Sequence, residues 1–210
     1  MRSHKIVPLL LIAGLLSGCF RSKREQIPFL QSEYFPKNVS YRMSAGSILR
    51  VVVAPLFNYG AEISADDLRK VERSFNRALL QKGCFECIFE NDIPFVDYAR
   101  TIPGSLFEQL IKQYNADAIL FMGLTQYSPY TPIQLGTRMQ LIELCSNKII
   151  WGIDEVFDAS QEKIYFGVKH YQRAHTLNSF ETLDDLGQLS PEYFSDYVGQ
   201  KIYETLPESF

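Results

Sequence analysis

"ADAILFMGLTQY", residues 116–127, is the stretch from which the fold is read. From Ala118 to Leu124 it is apolar throughout, with Gly123 its one residue lacking a side chain, and it is too short for a buried helix. That pattern is a strand covered on both faces. Upstream, Leu106, Leu110 and Ile111 recur at helical spacing within residues 105–114, so a short amphipathic helix leads into the strand. Before that helix, "CFECIFE" at 84–90 is a second strand, and Leu68, Val71, Phe75, Ala78 and Leu79 stripe a longer helix between Ser64, a capping residue, and Gly83, a terminating one. Asp66 and Asp67 suit that helix's first turn. "SILRVVVAPLFN" at 47–58 is the first strand of the series, β-branched and expected to end at Pro55. A β-α-β-α-β order implies parallel pairing with helices packed across the sheet.

Downstream the pattern changes. Two runs at about 133–145 and 148–158, separated by Ser146-Asn147, read as an antiparallel hairpin that extends the sheet. A helical segment is expected over 159–175. A last helix opens with Ser190 as cap and Pro191 in its first position, its stripe made of Phe194, Val198, Ile202 and Leu206. The expected fold class is therefore α/β (α+β): a two- or three-layer sandwich with a mixed sheet of about five strands and a C-terminal helix, occupying residues 47–210. Residues 19–46 contain Pro28 and Pro36 and no sustained periodicity; they read as a tether that can pack on the domain through Phe29, Tyr34 and Phe35.

The first eighteen residues have the layout of an export signal. Arg2, His4 and Lys5 precede an apolar run from Ile6 to Leu16, too short to span a hydrocarbon layer roughly 30 Å thick. Leu16-Ser17-Gly18-Cys19 resembles the lipobox of bacterial lipoproteins. The resemblance implies cleavage before Cys19 and acyl chains on its sulfur and amino groups, a stable anchor in a lipid bilayer at about 0.8 kcal/mol per buried methylene. Phe20 follows the cysteine where members of that class retained in an inner membrane usually carry Asp, so the resemblance implies the outer membrane.

The formal charge of the 210-residue chain is −3, and loss of residues 1–18 removes two bases and no acids. No stretch has the density of Lys and Arg that phosphate neutralisation needs, so nucleic acid is not an expected partner. Redox chemistry is weighed at Cys84-Phe85-Glu86-Cys87, a C-x-x-C. In thiol catalysts the first Cys opens a helix, whereas here the motif follows a helix and opens a strand, where residues three apart face opposite ways. In an oxidising compartment, two of Cys84, Cys87 and Cys145 can form a structural disulfide, or all three can stay free. His170 and His175 are five apart and share no helix face, so no metal ligand is assigned. Asp154 and Asp158 fall on one face of a strand, with Glu155 on the other, at a separation some glycoside hydrolases use. Arg138 on the neighbouring strand can pair with one of them. No catalytic or cofactor-binding residue is assigned.

"TQYSPYTPIQ", residues 125–134, is the candidate recognition segment. Two prolines stiffen it, it follows the central strand, and Tyr127 and Tyr130 offer large amphipathic area at low entropic cost.

The lipobox, "VVVAPLFN", "LLQKGCFECI", "YNADAILFMGLTQY" and "ELCSNKIIWGIDEVFD" together resemble the small periplasmic lipoproteins related to penicillin-binding-protein activators. That fold group also includes the curli secretion lipoprotein and the amino-terminal domain of the Tol-system propeller protein. The resemblance covers about residues 47–158 and shares no catalytic motif. It implies a binding or assembly role toward a periplasmic or envelope protein. A self-assembling structural or secretion-complex subunit, a homo-oligomer, is the alternative, and a wall-directed hydrolase a second one.

Overall fold

The computed structural model describes residues 33–44, 46–93, 103–176 and 189–208. The export signal, Cys19 and Phe29 lie outside them. In chain order the elements are β1 (Val39–Tyr41), β2 (Arg50–Asn58), α1 (Ala65–Lys82), β3 (Glu86–Phe89), α2 (Gly104–Tyr114), β4 (Ala118–Ser128), β5 (Gln134–Glu143), β6 (Lys148–Asp158), α3 (Glu162–Thr176) and α4 (Pro191–Glu204). They build an α+β fold on one mixed sheet of six strands, ordered β1-β6-β5-β4-β2-β3. β2 pairs in parallel with both β3 and β4; every other pairing is antiparallel.

This order places the helices. The chain moves outward from β2 to β3 through α1, then back across β2 to β4 through α2, and right-handed crossovers in opposite directions put the two helices on opposite faces. Side-chain alternation agrees. Val51, Val53, Ala118, Leu120 and Met122 pack with α1, α3 and α4, while Val52, Ala54, Ile119 and Phe121 pack with Phe107 and Leu110 of α2. The result is three layers, with the heavier helical layer on the α1 side.

The helix signals act as their chemistry dictates. Ser64 Oγ accepts the Asp67 N–H, and Gly83 takes φ 64° at the end of α1, donating its N–H to Leu79 O. Ser190 and Pro191 open α4, and Phe194, Val198, Ile202 and Leu206 are all buried. Gly123 answers a different need: a Cβ there would lie 2.1 Å from the Tyr59 ring and 3.2 Å from Arg138 O.

Two expectations are corrected. The sheet has six strands, because part of the stretch read as a tether is sheet. β1 pairs Val39, Ser40 and Tyr41 with Ile153, Gly152 and Trp151, and three residues on a sheet edge are too few to show periodicity. Tyr34 is buried and meets the Phe157 ring edge-on at 5.6 Å. Glu155 fastens this stretch, accepting the Tyr34 hydroxyl at 2.9 Å and the N–H groups of Lys37 and Asn38 at 2.9 and 3.0 Å. Phe35, by contrast, is exposed.

The second correction concerns Pro55, which does not end its strand. β2 continues to Asn58 by shifting register against β4 between Val53 and Leu56, an irregularity where proline is tolerated inside a sheet. The Leu56 N–H at this site is satisfied by Glu72 of α1 at 3.0 Å.

Candidate recognition surface

β4 ends at Ser128 and β5 begins at Gln134, so Tyr130 stands in the connection between them, beyond the C-terminal end of a parallel strand. Both ends of the connection are pinned. On one side Ile133 is buried and its carbonyl accepts the Ala159 N–H at 2.9 Å. On the other, a ladder of polar side chains crosses three strands: Gln126 Nε2 donates to Gln134 Oε1 at 2.6 Å, and Gln134 Nε2 to Asp158 Oδ2 at 2.9 Å. Asp158 Oδ1 in turn accepts the Ser160 N–H at 2.7 Å.

The two tyrosines named from the sequence part company here. Tyr130 is 80 % exposed, a large side chain held out from a fastened loop. Tyr127 pairs with Leu135, packs on the main core and is half-buried. Burial, and secondarily the Asp67 carboxylate, push its hydroxyl above the usual tyrosine range. Tyr127 therefore supports the surface on which Tyr130 stands.

The carboxylates of β6 are held for structure. Arg138 and Asp154 face each other in register and form an ion pair at 2.6 Å, as the strand alternation allows. Asp158 belongs to the polar ladder. Glu155 points to the opposite face, where it fastens residues 34–38.

Of the two alternatives the sequence leaves open for Cys84, Cys87 and Cys145, the structure has free thiols. Cys145 is exposed beyond the end of β5, three strand positions from β3, about 14 Å at ordinary strand spacing. A disulfide brings Cα atoms to within roughly 7 Å. Cys84 precedes β3 with its Sγ 3.7 Å from Pro207 O, and Cys87 lies within the strand with its Sγ 3.9 Å from Phe85 O. Burial pushes the Cys87 thiol up to about 11, the reverse of what a thiol catalyst needs. Iodoacetamide at pH 8 should therefore modify Cys145 first and Cys87 last, the latter at least about 100-fold slower than an exposed thiol of ordinary pKa near 8.5. Intact mass against time reads this order. Because the unfolded thiol ionises near 8.5 and the folded one holds its proton to about 11, this group favours unfolding as pH rises through that window.

His175 stacks on the Tyr171 ring at 4.0 Å with Nδ1 2.8 Å from Tyr171 O. Among the described residues no group of three His, Cys, Asp or Glu side chains is arranged to hold a metal ion.

Two polar fastenings escaped sequence reasoning. Asp117, in the Ala-Asp-Ala start of β4, accepts the N–H groups of Leu49 and Arg50, each at 2.9 Å; a lone charge flanked by alanines at a strand start was its only signal. Lys201 is buried in the last turn of α4, ion-paired with Glu33 and with Glu204, and its Nζ lies 5.7 and 5.8 Å from the centres of the Phe35 and Tyr197 rings. Nothing in the amphipathic pattern of α4 marks it.

No protein-family model and no curated protein matches the chain. Solved structures similar to part of it include the following three. The PelC dodecamer from Paraburkholderia phytofirmans is 18 % identical, with 57 % of this chain and 81 % of that one covered and a TM-score of 0.39. Lipoprotein GNA1162 from Neisseria meningitidis is 15 % identical, with 63 % and 99 % covered and a TM-score of 0.39. The LpoB C-terminal domain from Escherichia coli is 14 % identical, with 53 % and 83 % covered and a TM-score of 0.37.

Proposed function

We propose that this chain is a lipoprotein of the bacterial cell envelope, anchored through acylated Cys19 to the outer membrane and facing the periplasm, and that it acts without catalysis as a binding and assembly factor for an envelope protein. The observation that carries the reading is Tyr130. An 80 % exposed aromatic side chain on a loop pinned at both ends adds nothing to the core and gains its burial only against a partner. Interface hot spots are built this way, from rigid aromatic groups that lose little entropy on binding. Support for the anchor is the Leu16-Ser17-Gly18-Cys19 sequence and the export signal before it.

Two variants test the halves separately. Labelled fatty acid should enter the wild type and be absent from Cys19→Ser; equal labelling of both removes the anchor. Tyr130→Ala should leave stability within about 0.5 kcal/mol of wild type, as exposed positions do, yet lower capture of a solubilised envelope protein at least tenfold, the scale of a hot spot worth roughly 1.4 kcal/mol or more. If capture returns only the chain itself, self-assembly replaces the partner-binding reading.

A further inference from the structure

We infer that the outer face of α3 is a docking surface for a layer of anionic lipid headgroups. The inference rests on the anchoring proposed above and adds a second membrane contact made by the folded domain.

Ile164, Val168 and Gln172 are the buried side of this helix, each four residues from the next. Phe166, two positions from both Ile164 and Val168, therefore lies on the opposite side. Its helical neighbours at three, four and seven residues are three bases, Lys163, Lys169 and Arg173, with His170 and one acid, Glu162. A half-buried phenylalanine thus lies among Lys163, Lys169 and Arg173 on the outward face. Among the described residues no carboxylate lies within ion-pair distance of Lys163, Lys169 or Arg173. Glu162 is the one acid of the helix. Tyr165 flanks the patch, meeting Phe166 edge-on at 5.5 Å, with Lys169 Nζ 4.9 Å from the Tyr165 ring centre.

A helix with bases around an aromatic centre suits the boundary between headgroups and acyl chains, where phosphates take the cations and the ring enters the apolar edge. The rest of the protein sharpens the charge argument, since the whole chain carries −3. Position agrees as well. Glu33, the first described residue, is held by Lys201 of α4, and α4 packs directly on α3: a Cβ at Gly167 would meet the Tyr197 hydroxyl at 2.3 Å. Thirteen residues lie between Cys19 and Glu33, a span that can reach about 45 Å when extended, so an anchored chain can lay α3 on the bilayer. Nucleic acid fits less well. It rewards a broader basic surface and offers the central phenylalanine no apolar layer.

The test compares flotation of the unlipidated full-length chain with phosphatidylcholine vesicles and with vesicles that also contain phosphatidylglycerol. All variants keep residues 1–32, so their contribution cancels. Wild type should bind the anionic vesicles at least about tenfold more tightly than the triple variant Lys163→Glu/Lys169→Glu/Arg173→Glu, and the difference should shrink as salt rises above about 0.3 M. Lys112→Glu on α2 should bind like wild type. Phe166→Ser, a milder change, should weaken binding at low and high salt alike, and it decides the matter if the triple variant fails to fold by circular dichroism. Equal binding by wild type and folded variants overturns the inference. So does binding of a short DNA duplex as tight as binding of the anionic vesicles, which would make the face a general polyanion site. Because no acyl chain and no protein partner takes part, failure here leaves the lipoprotein reading standing.

Discussion

Trp151→Ala should cost about 3–5 kcal/mol, the range for emptying a buried aromatic site. The indole is fully buried on β6 and opposite Leu141. Its ring plane is inclined 27° to that of Tyr203 of α4, centroids 6.5 Å apart, and its Nε1 donates to Thr205 Oγ1 at 3.1 Å. Tyr41 of β1 reaches the same residue, donating its hydroxyl to Thr205 O at 2.7 Å. One side chain therefore joins the sheet, the edge strand and the end of the last helix. Against a total stability of typically 5–15 kcal/mol, the loss should lower the melting temperature by roughly 10 °C for a domain this size. Trp151→Phe keeps much of the apolar contact and should cost less than half as much. A change below about 1 kcal/mol for the alanine variant, measured by chemical denaturation, would contradict this role.

Asp117→Ala is the second large effect, expected at about 2–3 kcal/mol. Its carboxylate holds two backbone N–H groups at the start of β2, its own N–H donates to Arg50 O, and its carbonyl accepts from Leu144. Three strand ends meet at this residue. Hydrogen bonds to an ionised group are each worth more than neutral ones, and removal leaves donors without partners. Asp117→Asn retains an acceptor and should recover about half of the loss. If the two variants are equally stable, the charge is irrelevant to the fastening.

Asp117 also marks how far the sequence could be read. Long periodic elements were legible, because burial leaves a repeating signature: the apolar run of β4, the stripe of α1 between Ser64 and Gly83, the Ser-Pro start of α4. β1 was not, since its place depends on Glu155 and Trp151, more than a hundred residues away. Pro55 misled for a related reason. Whether proline ends a strand depends on whether the fold can take up a register shift and satisfy the freed N–H, and here Glu72 of α1 does so. In the 125–134 segment, Tyr127 and Tyr130 look alike as letters; strand pairing sends one to the core and leaves the other exposed. The cysteines show the same limit: their spacing leaves the pairing open, and only the strand order sets Cys145 three strands away from Cys84 and Cys87.

The most direct measurement is a photo-crosslink in living cells, with a photoreactive phenylalanine analogue replacing Tyr130 in the full-length chain and a second placed at Gln109 on α2 as a control. One recurrent envelope protein should be crosslinked from position 130, be absent from position 109, and diminish when Cys19→Ser is combined with the probe. Crosslinks from both positions alike, or from neither, would contradict a partner-binding role for this surface.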